Sequence, residues 1–433
     1  MKARLLIAVV FCASCLGLDS ARAQTWQCNS IYNDVWGAIA TSADGKILYL
    51  AEYDNGMIYT STNSGNTWIS NSFPALVWPY LAASADGNKL FAVTGDDYGH
   101  IYTTTNAGLN WTTNSIAGLN SLPNGSNFAW TSIATSADGT KWVVATATNW
   151  VYISSDSGMT WTSNSLPNVT LQALLVRCSA DGTKLVVAGT LGAVWVSTNS
   201  GAAWTAPVNA PSAGWQASAS SADGSKVFLV GSTNLMYRST DYGFTWQSNS
   251  VSGVTVWTGI ASSADGIKLA AVAPTASTTA VGPGVGIFIS TNAGITWAQD
   301  TNQLIAPPLQ YSEGLIGDQL GIASSADGAK LVLIPGIRYR IYDGAVVSYV
   351  PDDEIWTSYT PPAPRLDLSA PGTNLVLSWT VPATNFVLQQ NGDITTTNWT
   401  TMTNVATLNY SNLQYEAGFS PANGSTFFRL ATP

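Results

Sequence analysis

Residues 36–68 read WGAIATSADGKILYLAEYDNGMIYTSTNSGNTW, and the pattern of this stretch returns along the chain. The tripeptide Ala-Asp-Gly occurs seven times, with its aspartate at Asp44, Asp86, Asp138, Asp181, Asp223, Asp265 and Asp327. Successive copies lie 42, 52, 43, 42, 42 and 62 residues apart. A period near 42 residues, with four short β-branched or aromatic runs per copy, is typical of a propeller blade. We name the four runs strands A to D and predict an all-β chain with a seven-bladed β-propeller.

A second motif, eight residues long and ending in tryptophan, occurs in six of the repeats. Its copies read STNSGNTW to Trp68, TTNAGLNW to Trp111, SSDSGMTW to Trp161, STNSGAAW to Trp204, STDYGFTW to Trp246 and STNAGITW to Trp297. The Asp or Asn can accept hydrogen bonds from nearby backbone N–H groups, Gly can take a positive φ, and Trp can pack between sheets. These turns resemble the Asp-box, or BNR, repeats of sialidases, sortilin-type receptors, xyloglucan-active glycosidases and photosystem II assembly factors. The resemblance covers residues 24–360 and implies a fold rather than an active site.

The seventh repeat lacks this motif, because Asp-Gly at residues 343–344 follows the predicted strand C at residues 340–342. Residues 25–30 read TWQCNS and match the TWQSNS of residues 245–250 at five of six positions. We therefore predict that the N-terminal segment supplies the missing strand D, which closes the ring and removes a sheet edge. The alternatives for that place are residues 345–350 and Trp356-Thr-Ser.

The N-terminus has the order of a secretory signal peptide. Lys2 and Arg4 precede an apolar run at residues 5–18, and the small-residue sequence Ala-Arg-Ala follows at residues 21–23. We predict that residues 1–23 are removed and that the mature chain is secreted to the periplasm, the cell surface or the medium. A lipid anchor on Cys15 is the alternative. The apolar run is too short for a permanent membrane span, so we expect no membrane insertion.

The repeat pattern stops at Pro361. Short alternating strands follow, such as Leu375-Val-Leu-Ser-Trp379, and predict a small β-sandwich at residues 361–433 after a proline-rich linker. This tail resembles the immunoglobulin-like modules that end many secreted proteins of Verrucomicrobia and Planctomycetes, which implies a bacterial, exported protein.

Blade topology assigns the repeated turns to one end of the ring. The A–B and C–D turns lie together on what we call the bottom face, and the B–C and D–A loops lie on the top face. The longest insertions fall in top-face loops, where a rigid scaffold commonly carries its binding site. The candidate ligand-binding residues are five tryptophans that begin strand A and two arginines of the last repeat: Trp36, Trp78, Trp130, Trp215, Trp257, Arg338 and Arg340. The tryptophans could stack on a sugar, or they could pack between blades as residues repeated by symmetry commonly do.

Glycoside hydrolysis needs two carboxylates that face each other across the scissile bond. The top-face candidates for catalysis are Glu52, Asp54, Asp97 and Glu313. A sialidase is disfavoured, because Arg177 and Arg238 adjoin bottom-face turns and two top-face arginines cannot form the three-arginine clamp of that family.

Other chemistries find little support in the sequence. Only 9% of residues are charged and the formal net charge is -9, so a basic stripe for nucleic acid is lacking. His100 is the single histidine, and closure by the N-terminal segment places Cys28 and Cys178 in different blades. We expect no disulfide between these cysteines, no metal site and no cofactor.

These observations favour a secreted, monomeric binding module that recognises a carbohydrate or glycoprotein through its top face. The alternative is a single-propeller glycoside hydrolase, not a sialidase, that uses two of the top-face carboxylates.

Overall fold

The computed structural model shows a chain of β-strands and turns, and no helix occurs in the residues that it describes. These residues are 7–9, 26–30, 36–52, 56–72, 80–94, 100–114, 130–147, 149–166, 174–275, 284–300, 321–334, 338–342, 345–350, 354–359, 366–369, 375–380, 387–392, 396–402, 406–409, 413–419 and 426–431.

Two strands, β1 (Ile7–Val9) and β2 (Trp26–Ser30), precede the first repeat. Each of the first six repeats then forms an antiparallel sheet in which consecutive strands pair. The first sheet contains β3 (Trp36–Thr41), β4 (Leu48–Glu52), β5 (Met57–Ser61) and β6 (Ile69–Ser72). The Ala-Asp-Gly turn joins strands A and B of this sheet, and the second motif joins strands C and D.

The next five sheets repeat this order. Their strands are β7 (Tyr80–Ala83), β8 (Leu90–Val93), β9 (Ile101–Thr104), β10 (Thr112–Asn114); β11 (Trp130–Thr135), β12 (Trp142–Thr146), β13 (Trp150–Ser154), β14 (Thr162–Ser165); β15 (Leu174–Cys178), β16 (Leu185–Gly189), β17 (Val194–Ser197); β18 (Trp215–Ser220), β19 (Val227–Gly231), β20 (Leu235–Ser239), β21 (Gln247–Ser250); and β22 (Gly259–Ser262), β23 (Leu269–Thr275), β24 (Gly284–Ser290), β25 (Ala298–Gln299). In the fourth sheet a single bridge between Val196 and Thr205 stands in the place of strand D.

The last sheet is completed by the N-terminal segment, as predicted. It contains β26 (Gly321–Ser324), β27 (Lys330–Ile334), β30 (Glu354–Tyr359) and, at its outer edge, β2. In β2, Asn29 Nδ2 donates a hydrogen bond of 3.2 Å to Thr357 Oγ1 of β30. The ring is therefore closed by pairing between the two ends of the repeat region.

The prediction of strand C in the last repeat is wrong. The predicted residues lie in β28 (Arg338–Tyr342), which pairs with β29 (Ala345–Val350) in a separate hairpin, and β30 takes the third position. The physical reason is burial: Ile355 of β30 is fully buried against Leu48 and Val332 and so supplies the apolar contact that the seam between two sheets requires.

The first strands of the sheets lie side by side in a closed cycle: β3, β7, β11, β15, β18, β22, β26 and again β3. The alanine of each Ala-Asp-Gly turn donates its N–H to the carbonyl oxygen of the next turn's alanine, at 2.6–2.8 Å. These bonds run from Ala43 to Ala85, Ala137, Ala180, Ala222, Ala264 and Ala326, and from Ala326 back to Ala43. We call these residues the alanine ring. Apolar side chains fill each seam; at the first seam, for example, Tyr49 and Ile58 pack against Leu90.

The tail forms two further sheets that share one core. One contains β31 (Asp367–Ser369), β32 (Leu375–Thr380), β35 (Thr407–Asn409) and β36 (Gln414–Phe419), and the other contains β33 (Val387–Asn391), β34 (Thr400–Thr401) and β37 (Thr426–Ala431). Leu377 and Trp379 of the first sheet pack with Leu388 and Phe428 of the second. Strand β1 pairs in parallel with β37, so it forms an edge of the second sheet.

A described residue of the tail, Leu413, contacts the alanine ring. Leu413, in the turn between β35 and β36, packs against Ala137, Ala180 and Ala222. It has a positive φ of 55°, and its N–H donates to Asn409 O at 2.9 Å. The tail therefore touches the propeller at the centre of the bottom face.

Candidate functional site

The aspartates of the Ala-Asp-Gly turns make hydrogen bonds within their own turns. In the fifth turn, Ser221 Oγ donates to Asp223 Oδ1 at 2.5 Å, the Ser225 N–H donates to the same oxygen at 3.0 Å, and the Lys226 N–H donates to Ser221 Oγ at 2.9 Å. The same three bonds recur in the other six turns. Each carboxylate thus accepts hydrogen bonds from backbone N–H groups of a tight turn that would otherwise bond to water.

Hydrogen bonding lowers the pKa of four of these aspartates. Burial alone would raise the pKa of Asp223, but the hydrogen bonds from Ser221 and Ser225 and the charge of Lys226 lower the pKa below its usual value. The pKa values of Asp86, Asp138 and Asp181 are lowered in the same way. Asp327 differs, because burial raises its pKa and its Oδ2 is buried without a hydrogen-bond partner. These groups stabilise turns and offer no base to a substrate.

The lysines that follow the turns reach across the seams. Lys89 Nζ donates to Asp138 O at 2.7 Å and Lys141 Nζ donates to Asp181 O at 2.8 Å. Lys226 Nζ makes the equivalent bond to Asp265 O at 2.8 Å. These three lysines therefore bind the next blade, whereas Lys46 pairs with Asp44 and Lys184 donates to Thr183 Oγ1 within their own turns.

The second motif is structural as well. In the third repeat, the Thr160 N–H donates to Asp156 Oδ1 at 2.8 Å and the Gly158 N–H donates to Ser154 Oγ at 2.8 Å. Trp161 Nε1 donates to Gly158 O at 3.1 Å, so the tryptophan covers its own turn. Hydrogen bonds from Thr160 and Ser154 lower the pKa of Asp156.

Four of the five candidate tryptophans are buried. Their exposed fractions are 1% for Trp36, 3% for Trp130, 1% for Trp215 and 0% for Trp257. Each packs edge-to-face on a ring of strand C, at 5.2–6.0 Å between centroids: Trp36 on Tyr59, Trp130 on Tyr152, Trp215 on Tyr237 and Trp257 on Phe288. Packing between blades is therefore the correct alternative for these four, because a buried ring presents no face to a sugar. Trp78 lies outside the described residues.

The candidate carboxylates and arginines are only partly described. Glu52 is the last residue of β4, where it pairs with Trp36 of β3 and is 1% exposed. As a top-face candidate Glu52 was expected in the first B–C loop, but strand β4 continues through it and its side chain is buried. Arg338 and Arg340 lie in β28 of the inserted hairpin. Asp54, Asp97 and Glu313 lie outside the described residues.

The structure reveals an aromatic residue at the top face that the sequence analysis did not single out. Trp150 begins β13 at the end of a B–C loop and is partly exposed. Its ring stacks on Tyr152, with 6.4 Å between centroids and 29° between planes. The sequence could have pointed to Trp150, because it is a tryptophan at the start of strand C, whereas the candidate tryptophans begin strand A.

Arg177, in the innermost strand of the fourth sheet, makes a hydrogen bond across the seam to the fifth sheet. Its Nε donates to Ser218 O at 2.8 Å and its Nη1 donates to Val176 O at 2.8 Å. Burial lowers the pKa of Arg177 from its usual value. The adjacent Cys178 has a free thiol, and burial raises its pKa to about 12, so the thiol is protonated at neutral pH.

Among the described residues, no three His, Cys, Asp or Glu side chains come together in a way that could hold a metal ion. In the same part of the chain, the structure has no helix of the length and apolar character needed to cross a membrane.

No protein-family model matches the chain, and no curated protein matches it. Solved structures do match. A structure of YCF48 bound to D1 peptide is 13% identical with a TM-score of 0.53, over 78% of this chain and 97% of that one. A GH74 enzyme from Niastella koreensis is 17% identical with a TM-score of 0.55, over 80% of this chain and 58% of that one. The GH74 xyloglucanase from Xanthomonas campestris is 15% identical with a TM-score of 0.52, over 82% and 59%.

These identities establish the fold alone, and the chain spans less than two thirds of the length of the two GH74 proteins. Together with the closed cycle of antiparallel sheets, they show that this chain is a β-propeller protein.

Proposed function

We propose that the chain is a secreted binding protein whose top face holds a carbohydrate or a glycoprotein. In this proposal, residues 24–360 form a seven-bladed Asp-box propeller and residues 361–433 form an immunoglobulin-like β-sandwich. The cyclic hydrogen bonds of the alanine ring support the blade number. The shared core of the two tail sheets supports the sandwich.

The observation that carries the proposal is Trp150. It is partly exposed at the top face, and Tyr152 supports its ring. Ser165 of β14 pairs directly with Trp150 and is exposed, and its hydroxyl can donate and accept hydrogen bonds. A flat aromatic face beside polar side chains suits a sugar ring. The bottom-face aspartates and lysines, by contrast, already have partners within the protein.

Glycan-array screening of the mature chain tests this proposal. We expect a subset of glycans to be retained and Trp150→Ala to abolish retention. The matched control is Trp161→Ala, because Trp161 is also partly exposed and lies in the same sheet, but at the bottom face. Retention of no glycan, or equal losses in both variants with native near-ultraviolet circular dichroism, would exclude the proposed site.

A glycoside hydrolase is the second candidate, and the GH74 neighbours favour it. With Glu52 buried, the carboxylates proposed for catalysis are Asp54, Asp97 and Glu313. Release of reducing sugar from xyloglucan, abolished by Asp97→Asn or Glu313→Gln, would establish this function. Binding without release would leave the chain a binding protein.

Export is part of the proposal. Cleavage after residue 23 would remove β1 and leave β37 as an edge strand of the tail. N-terminal sequencing of protein collected from the medium or periplasm of a secreting host should give a chain that begins at Gln24. A mature chain that still begins at Met1 would contradict the signal peptide.

A further inference from the structure

The seam between the fourth and fifth sheets differs from the other six seams at two positions. Four residues before the repeat aspartate, six repeats carry alanine and the fourth carries Arg177; the alanines are Ala40, Ala82, Ala134, Ala219, Ala261 and Ala323. Five residues before it, six repeats carry an aliphatic residue and the fifth carries Ser218; the aliphatic residues are Ile39, Leu81, Ile133, Val176, Ile260 and Ile322.

The two exceptions meet in the structure. At other seams, the alanine of one sheet and the aliphatic residue of the next pack in one apolar cluster, as Ala40 does with Leu81 and Ala134 with Val176. At the exceptional seam, Arg177 Nε donates to the backbone oxygen of Ser218. The Arg177 guanidinium therefore reaches the part of this seam that the aliphatic side chain fills at the other seams.

Several donors at this seam have no partner in the protein. Arg177 uses Nε and one N–H of Nη1, which leaves both N–H groups of Nη2 and one of Nη1 without a partner in the described chain. Ser218 is 3% exposed, and its Oγ is buried without a hydrogen-bond partner. No carboxylate of the described residues pairs with Arg177; the ion pair recorded among them joins Lys46 and Asp44.

We propose that Arg177 and Ser218 form a binding site for a single carboxylate group on the axis of the propeller. The remaining guanidinium donors have the fork geometry that a carboxylate accepts, and the Ser218 hydroxyl can supply one more hydrogen bond. Arg177 is partly exposed, so a ligand can reach it along the innermost strands. The proposal is independent of the function proposed for the top face.

Charge favours a monovalent anion at this site. Arg177 stays protonated at neutral pH, and its guanidinium is only partly exposed, so a bound anion would offset the loss of hydration of its positive charge. The site offers one positive charge, whereas the whole chain carries a formal net charge of -9. A dianion such as phosphate would therefore bring one charge more than the site can neutralise.

The experiment is run at about pH 8.5, where inorganic phosphate is mainly the dianion. It measures thermal unfolding and isothermal titration of the mature chain with sodium acetate, sodium glucuronate and inorganic phosphate. Sodium chloride holds the ionic strength constant, because bulk salt alone changes stability. We expect acetate to give a saturable rise in the melting temperature of the wild-type protein, and phosphate to give none. A rise with glucuronate as well would show that the carboxylate can be carried by a sugar.

Two variants and a control make the result decisive. Arg177→Gln should weaken acetate binding by roughly tenfold or more, the effect of losing charge-assisted hydrogen bonds. The double variant Arg177→Ala/Ser218→Ile restores the residue pair of the other seams, so it should fold with a melting temperature at least equal to that of the wild type and bind no acetate. Arg429→Gln removes an exposed positive charge of the tail, bonded to Gln389, and should leave the response unchanged. No saturable response in the wild type, or the same response in all variants, would overturn the proposal.

Discussion

A tryptophan at the start of strand A is held by both the backbone and a neighbouring ring. In three sheets the register shifts directly after this residue, at Trp36, Trp130 and Trp215. Such a bulge turns a side chain away from the regular alternation of the strand. The ring then meets an aromatic residue of strand C edge-to-face, which contributes about 0.5–1.5 kcal/mol beyond the burial of area.

Trp215→Ala should therefore destabilise the protein strongly. The side chain is 1% exposed and contacts Tyr237 at 5.3 Å. We expect the free energy of unfolding in urea to fall by about 3–5 kcal/mol, the cost of truncating a buried tryptophan. Trp150→Ala, at a partly exposed ring, should cost clearly less. Equal costs for the two variants would contradict the packing role.

The aspartates predict a pH dependence with a definite sign. A carboxylate whose folded pKa is lowered, such as Asp223, stabilises the folded state above its unfolded pKa of about 3.9, and this contribution is lost as the pH falls through the folded pKa. For Asp327 the sign is opposite, because its raised pKa disfavours the charged form in the folded state. Asp223→Asn should thus cost more stability than Asp327→Asn at pH 7, and the difference should shrink in urea titrations at pH 3. If the difference in the free energy of unfolding between Asp223→Asn and Asp327→Asn were the same at pH 7 and at pH 3, this prediction would be wrong.

At the scale of the element, β2 protects a sheet edge. It covers β30 over five residue pairs, from Trp26 with Ser358 to Ser30 with Glu354. Without it, β30 would expose unpaired N–H and C=O groups to other chains.

A chain that begins at residue 31 should therefore associate. We expect it to elute as concentration-dependent oligomers in size-exclusion chromatography with light scattering, whereas a chain that begins at Gln24 should remain a monomer. A monomeric, equally stable protein without residues 24–30 would show that the last sheet does not need this strand.

At the scale of the whole molecule, Leu413 links the tail to the propeller. A non-glycine residue at positive φ costs on the order of 1 kcal/mol or more, so its contact with the alanine ring offsets local strain. The leucine covers part of the centre of the bottom face.

Leu413→Asp should separate the two parts. The charge would lie against buried alanines, so we expect the radius of gyration from small-angle X-ray scattering to rise and proteolysis of the linker near residue 361 to become faster. The matched control is Leu109→Asp, because Leu109 is 73% exposed on the same face. An unchanged radius of gyration in Leu413→Asp would show that other contacts hold the tail.

The repeats predicted the strand order and the closure of the ring, because Ala-Asp-Gly and the tryptophan motif mark positions that hydrogen bonding requires. They did not distinguish β28 from β30 as strand C, since both are short runs rich in aromatic and β-branched residues and only burial of Ile355 separates them. The burial of Trp215 was equally hidden, because the bulge breaks the alternation from which a strand's faces are inferred. Arg177 becomes visible only when the repeats are aligned residue by residue.

The pairing of β2 with β30 also has a kinetic consequence. Asn29 and Thr357, which it brings together, are 328 residues apart in the chain. Joining such distant segments carries a large loop-closure entropy and makes folding slow. The blades built from neighbouring residues can form during synthesis, but the ring can close only after the final repeat has left the ribosome. Closure is thus the last folding event, and release of β2 is the first step by which the finished ring would open.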